Sequence, residues 1–140
     1  MTPADRLLAW LIRANAVILL LAVVPVIFPP ELMAAIHARF GLGTLPREPI
    51  VEYLTRSAAA CYAMHGGVVW LLSTDVRAYR RLITRVYQIH LVFAATVFCI
   101  DVYAGLPWWW TVTEGGTIAG VAGVILTVNR RAERAVNPAG

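Results

Sequence analysis

From Leu7 to Phe28 the chain runs for 22 residues with only Arg13 and Asn15 as strongly polar interruptions. A helix that crosses a bilayer needs about 20 predominantly apolar residues, so this segment is long enough to span. The composition points the same way. Of 140 residues, 59% are hydrophobic and 14% charged, where soluble domains have roughly 45–50% apolar and about 25% charged residues. Mean hydropathy is +0.68. A water-soluble domain of this size lacks the polar surface to cover itself, which leaves the bilayer as solvent.

The punctuation of the chain then predicts an all-α fold: a four-transmembrane-helix bundle forming one integral membrane domain over residues 1–140. Thr2-Pro3-Ala4-Asp5 has the spacing of a capped helix start, with proline in the first turn. The first span, 7–28, reads as a retained anchor in preference to a signal peptide, because it is long and Arg13 interrupts it. Pro25 bends its second half and Pro29-Pro30 stop it. Between Pro30 and Phe40, Leu32, Ile36 and Phe40 recur on one face, which predicts a short interfacial helix closed by Gly41. Further spans are expected over 51–73, 82–104 and 111–128. A short helical connection capped by Asp75 joins the second to the third. Gly105-Leu106-Pro107 breaks the third, Trp108 to Trp110 mark a membrane–water boundary, and Thr111-x-x-Glu114 has capping-box spacing.

All twelve basic residues are arginine. With the N-terminus inside, nine of them (Arg6, Arg13, Arg77, Arg80, Arg81, Arg85, Arg130, Arg131, Arg134) lie at cytoplasmic ends and three (Arg39, Arg47, Arg56) outside. That bias places both termini in the cytoplasm. The same distribution, at helix ends and not in one stripe, excludes a nucleic-acid footprint despite a net charge of +4.

Lipid gives no hydrophobic drive for helix association, so small residues must allow close approach. Ala59, Ala63 and Gly67 line one face of the second span; Gly115, Ala119 and Gly123 line the fourth, with Gly116 and Gly120 beside them. These two helices are the expected tight pair, and an exposed stripe on the fourth is an alternative contact for another protein. Polar residues at membrane depth need partners. Glu52, Arg56, Asp101 and Glu114 reach similar depth and form a candidate cluster, either a structural clasp or a polar, proton-handling pocket. His65 and His90 on antiparallel helices are candidate ligands of a b-type haem, with hydrogen-bonded bundle histidines as the plainer reading. Arg13 is placed to snorkel and Asn15 to bond across helices. Cys61 and Cys99 form no CxxC and read as buried small hydrophobic residues. No catalytic template and no metal-binding motif is present in the sequence.

The stretches Glu52-Tyr53-Leu54-Thr55-Arg56-Ser57, Tyr62-Ala63-Met64-His65-Gly66, Asp75-Val76-Arg77-Ala78-Tyr79-Arg80 and Pro107-Trp108-Trp109-Trp110-Thr111 resemble those of small four-helix bacterial membrane proteins. In general plan the chain is similar to the DoxX-like group, over roughly residues 50 to 128. The resemblance implies a bacterial inner-membrane bundle. Members of that group are linked to quinone and sulfur redox chemistry, but no motif here carries that role over. The expected function is a non-enzymatic accessory or assembly subunit of a larger membrane complex, with the lipid bilayer and other membrane subunits as partners. The alternatives are a haem- or quinone-linked redox protein and a small transporter or lipid-binding protein.

Overall fold

The computed structural model describes residues 1–136, with Val136 described by its backbone alone; the expected cytoplasmic C-terminus at 137–140 lies outside the described residues. The described chain is all-α: α1 (Pro3–Leu20), a 3-10 helix (Leu21–Ile27), α2 (Pro30–Arg39), α3 (Pro49–Leu72), α4 (Arg80–Ala104) and α5 (Trp108–Val136). The start of α1 is the expected reciprocal cap. Thr2 Oγ1 accepts the Asp5 N–H at 3.1 Å, and Asp5 Oδ2 accepts the Thr2 N–H at 2.9 Å. Pro25, without an N–H and in conflict with the carbonyl four residues back, sits in the tightened 3-10 stretch. Phe28 then turns extended, and Pro30 opens α2, none of whose residues is buried.

Three local expectations are corrected. The expected helical connection over 74–81 is turns as far as Tyr79, and α4 begins at Arg80; Asp75 does cap the turns, accepting the N–H groups of Arg77 and Ala78 at 3.2 and 3.0 Å. α5 begins at Trp108, one turn before Thr111, because the Pro107 carbonyl takes the N–H groups of Trp110 and Thr111. Thr111 is therefore inside the helix and does not cap it. Helix α5 also continues past 128 to Val136, carrying the last three arginines in its final two turns.

Three helical segments are long and apolar enough to cross a membrane: Pro3–Ile27, Arg80–Ala104 and Trp108–Ala135. Helix α3, with 24 residues, is about 36 Å long at 1.5 Å per residue, enough for a hydrocarbon core of about 30 Å. Its apolar run is interrupted by Glu52, Thr55, Arg56, Ser57 and His65. Among the described residues, length and apolarity therefore coincide in three helices and not in the expected four.

The chain forms two compact units, one of residues 1–15 with those from 69 onward, the other of residues 16–68. In the first, α4 and α5 pack as a hairpin turned at Gly105, whose φ of 69° is left-handed and suits glycine. Its core includes Leu8, Ile12, Val69, Ile83, Tyr87, Ala122 and Ile125. Gly115 lies against α4: a Cβ there would stand 3.3 Å from the Ala94 carbonyl oxygen and 3.4 Å from Phe98 Cβ. In the second unit the closest approach is at Gly66. A Cβ on it would meet Leu20 N at 2.8 Å, Leu19 Cβ at 2.9 Å and Ala16 O at 3.0 Å.

Close contact thus falls at Gly66 and Gly115, while Gly67, Gly116, Gly120 and Gly123 have open space where a Cβ would be. Ala59, Ala63 and Ala119 are half-buried. Gly66→Ala will destabilise the protein by about 1–3 kcal/mol, the usual cost of overpacking. Gly67→Ala will be neutral or stabilising by up to about 1 kcal/mol through helix propensity. Thermal unfolding in detergent followed by circular dichroism reads both; equal melting temperatures for the two variants would show that α1 does not press on α3 at Gly66.

Candidate functional site

The densest polar arrangement is in the first unit and starts from Asp5, which is fully buried. Its Oδ2 accepts Arg77 Nε at 2.8 Å and its Oδ1 accepts Arg80 Nη2 at 2.8 Å. Arg80 Nη1 also donates to the backbone oxygen and to Oδ1 of Asn129, at 3.1 and 3.3 Å. Asn129, itself buried, returns its Nδ2 to the Arg80 carbonyl at 3.1 Å and to Thr84 Oγ1 at 2.9 Å. One carboxylate thereby joins the start of α1, the α3–α4 connection and α4, and Arg80 extends the link to α5. Arg80 is largely covered and Arg77 half-exposed. Buried charges persist only when paired and hydrogen-bonded, and every polar atom of Asp5 is so satisfied.

Also in the first unit, Arg13 Nε donates to Ser73 Oγ at 3.4 Å, just past the end of α3. Asn15 bonds across helices as expected, its Nδ2 to Tyr87 Oη at 3.1 Å. Tyr87 is fully buried and stacks on His90 at 4.9 Å between ring centroids. The clasp was not singled out from sequence, where Asp5 was a capping acid and Arg77 and Arg80 topological signals. A signal was available: only three acids, Asp5, Asp75 and Glu133, share that end with nine arginines.

In the second unit Arg56 is bound to Glu52, with Nη2 at 2.8 Å and Nε at 3.0 Å from Oε1. Its other bonds are to the Val26 carbonyl through Nη1 and the Phe28 carbonyl through Nη2, the latter at 2.9 Å. The reason lies in the prolines. A helical carbonyl at residue 26 would be served by the N–H of residue 29 or 30, and both are proline. Arg56 supplies the missing donors, and its positive charge suits the negative end of the helix. Glu52 also lines a recess of about 220 Å³ with Met33, Arg47, Val51 and Thr55 among its walls.

Of the expected four-residue cluster, Glu52 and Arg56 belong to the second unit and Asp101 and Glu114 to the first. On the α4–α5 hairpin Asp101 is buried and its Oδ2 has no hydrogen-bond partner. Glu114, half-buried, lies near Asp101 and takes a hydrogen bond from the Trp110 side chain. The two histidines likewise fall in separate units. His90 Nδ1 donates to the Val86 carbonyl at 2.8 Å, which fixes the ring along its own helix. Cys61 and Cys99 are both exposed, not buried as apolar core residues would be. No cluster of three or more metal-ligating side chains occurs among the described residues.

Burial ranks the contributions. Asp5→Ala will cost about 3–5 kcal/mol, because it strands the covered Arg80. Arg77→Gln, at the half-exposed position, will cost about 1 kcal/mol or less. Equilibrium denaturation in detergent measures both, and equal losses would break the ranking. At the other site, Arg56→Leu leaves two carbonyls unserved, at about 1–3 kcal/mol for each one that is buried. Glu52→Gln touches an exposed ion pair and will cost about 1 kcal/mol or less. A loss in Glu52→Gln matching that in Arg56→Leu would mean that the ion pair, and not the carbonyl capping, holds the site.

No protein-family model, curated protein or solved structure matches this chain, so its functional reading rests on sequence and geometry.

Proposed function

We propose that the chain is a four-span protein of the bacterial inner membrane, with both termini in the cytoplasm, acting as a non-enzymatic accessory or assembly subunit of a larger membrane complex. One observation carries the membrane part. The three apolar segments bury only 22%, 22% and 28% of their most apolar stretches, while Asp5, Ser73, Asp101, Thr111 and Asn129 are buried. Large apolar side chains such as Trp10, Ile18, Ile89, Val92, Ile100 and Val102 point outward. That is the reverse of a soluble protein and matches a lipid solvent.

Helix α3 is the fourth span in this reading. Its length suffices, and its most costly residue, Arg56, has its charge and donors engaged within the chain. The subunit role is supported by the small-residue line Ala59–Ala63–Gly67 on α3, with open space at Gly67 where another helix backbone can approach closely. The DoxX-like plan belongs to the same proposal.

Reporters inserted near Arg47 and near Tyr79 test the topology. Four spans with an internal N-terminus put Arg47 in the periplasm and Tyr79 in the cytoplasm; the same side for both would mean that α3 does not cross. The assembly claim predicts that the protein extracted in mild detergent runs as a particle with more protein mass than its own 15.4 kDa. Gly67→Leu should reduce that mass while leaving helix content unchanged. A lone chain in the wild type would remove the subunit reading.

A further inference from the structure

Helix α5 carries an open trough of about 440 Å³ lined by Gly120, Gly123, Val124, Thr127, Val128 and Arg131. These positions fall at i, i+3, i+4, i+7, i+8 and i+11, one continuous helix face. The trough exists because Gly120 and Gly123 lack side chains and, among the described residues, nothing from other helices comes within 4 Å of where a Cβ would be. Its floor is apolar even at Thr127, whose hydroxyl is spent on the Gly123 carbonyl at 2.7 Å. Arg131 closes one end, exposed, with exposed Arg134 three residues further on the same side.

From these features we infer that the trough binds an anionic glycerophospholipid, one acyl chain lying along Gly120 to Val128 and the phosphate on Arg131. This rests on the membrane reading above and adds a ligand site to it. The dimensions fit: eleven residues of rise are about 16 Å, close to half of a hydrocarbon core of about 30 Å. Hence the trough covers one leaflet and ends in a cation at headgroup level. A second copy docked in parallel on this face would bring Arg131 against Arg131. A partner helix can approach a glycine face closely, but only an anionic partner also satisfies the exposed Arg131 at its end. A lipid phosphate matches the arginine and a chain matches the apolar floor.

The test uses the full-length protein in detergent, with native mass spectrometry counting bound lipid as phosphatidylglycerol or phosphatidylcholine of identical chains is added. Phosphatidylglycerol should be retained in preference. Arg131→Gln should weaken its binding about fivefold, the worth of one arginine beside an anionic lipid surface. Gly123→Leu, which fills open space, should remove binding of both lipids with helix content unchanged, and soluble glycerol phosphate should not compete. Equal binding of the two lipids by the wild type, or unchanged binding in both variants, overturns the site. A change in protein mass and not in lipid count would assign the trough to a helix instead. Carbonate extraction of membranes separates the two levels: a chain released by carbonate loses the membrane reading itself, whereas a chain retained without lipid preference loses only this site.

Discussion

In the membrane reading proposed above, polar groups at lipid depth need partners inside the protein, because no water is there to serve them. Much of this structure follows from that demand. Hydroxyls on the helices bond back to carbonyls of their own turn: Thr55 to Val51, Thr96 to Val92, Thr113 to Trp109 and Thr127 to Gly123. Two prolines in a row deprive the Val26 carbonyl of its helical donors, and an arginine thirty residues later replaces them. A buried Asp5 is matched by two guanidinium groups, one of which is in turn shared with Asn129. The polar residues of this chain are better understood as answers to unmet bonds than as decorations on apolar helices.

The parts legible in sequence are those decided within a few residues. The Thr2–Asp5 cap, the Pro25 disturbance, the Pro29–Pro30 stop, the Asp75 cap and the Gly105 turn each depend on local backbone chemistry. They all appear where the residues place them. The errors have the same locality in reverse. Thr111-x-x-Glu114 has capping spacing, yet Pro107 nucleates the helix a turn earlier, since its carbonyl is free to accept and its missing N–H costs nothing before a helix. A motif of side-chain spacing yields to a backbone acceptor already in position.

What sequence reading did not reach is pairing at long range. The small-residue pattern included Gly67 and passed over Gly66, although of these two it is Gly66 that meets another helix. Adjacent helix positions differ by about 100° in direction. Which of two neighbouring glycines faces a partner depends on helix rotation, and composition carries no information on that. The candidate site shows the same limit. Arg56 was placed among acids because charge seeks charge, and Glu52 does bind it. Its other partners are carbonyl oxygens, which have no letter of their own in the sequence and become visible only when the prolines are read as missing donors.

The clasp also bears on the charge asymmetry behind the proposed orientation. Arginines committed to the fold are not simply topological signals. At the arginine-rich end Arg13, Arg77 and Arg80 are engaged with Ser73, Asp5 and Asn129. On the side proposed to be external, Arg56 is engaged with Glu52 and two carbonyls. Setting these four aside leaves six exposed arginines, Arg6, Arg81, Arg85, Arg130, Arg131 and Arg134, against two, Arg39 and Arg47. The ratio is three to one, the same as the nine to three counted over all twelve. In the proposed orientation, structural use of arginine is thus proportionate on the two sides, and the asymmetry that remains lies in exposed arginines, on which an anionic leaflet would act.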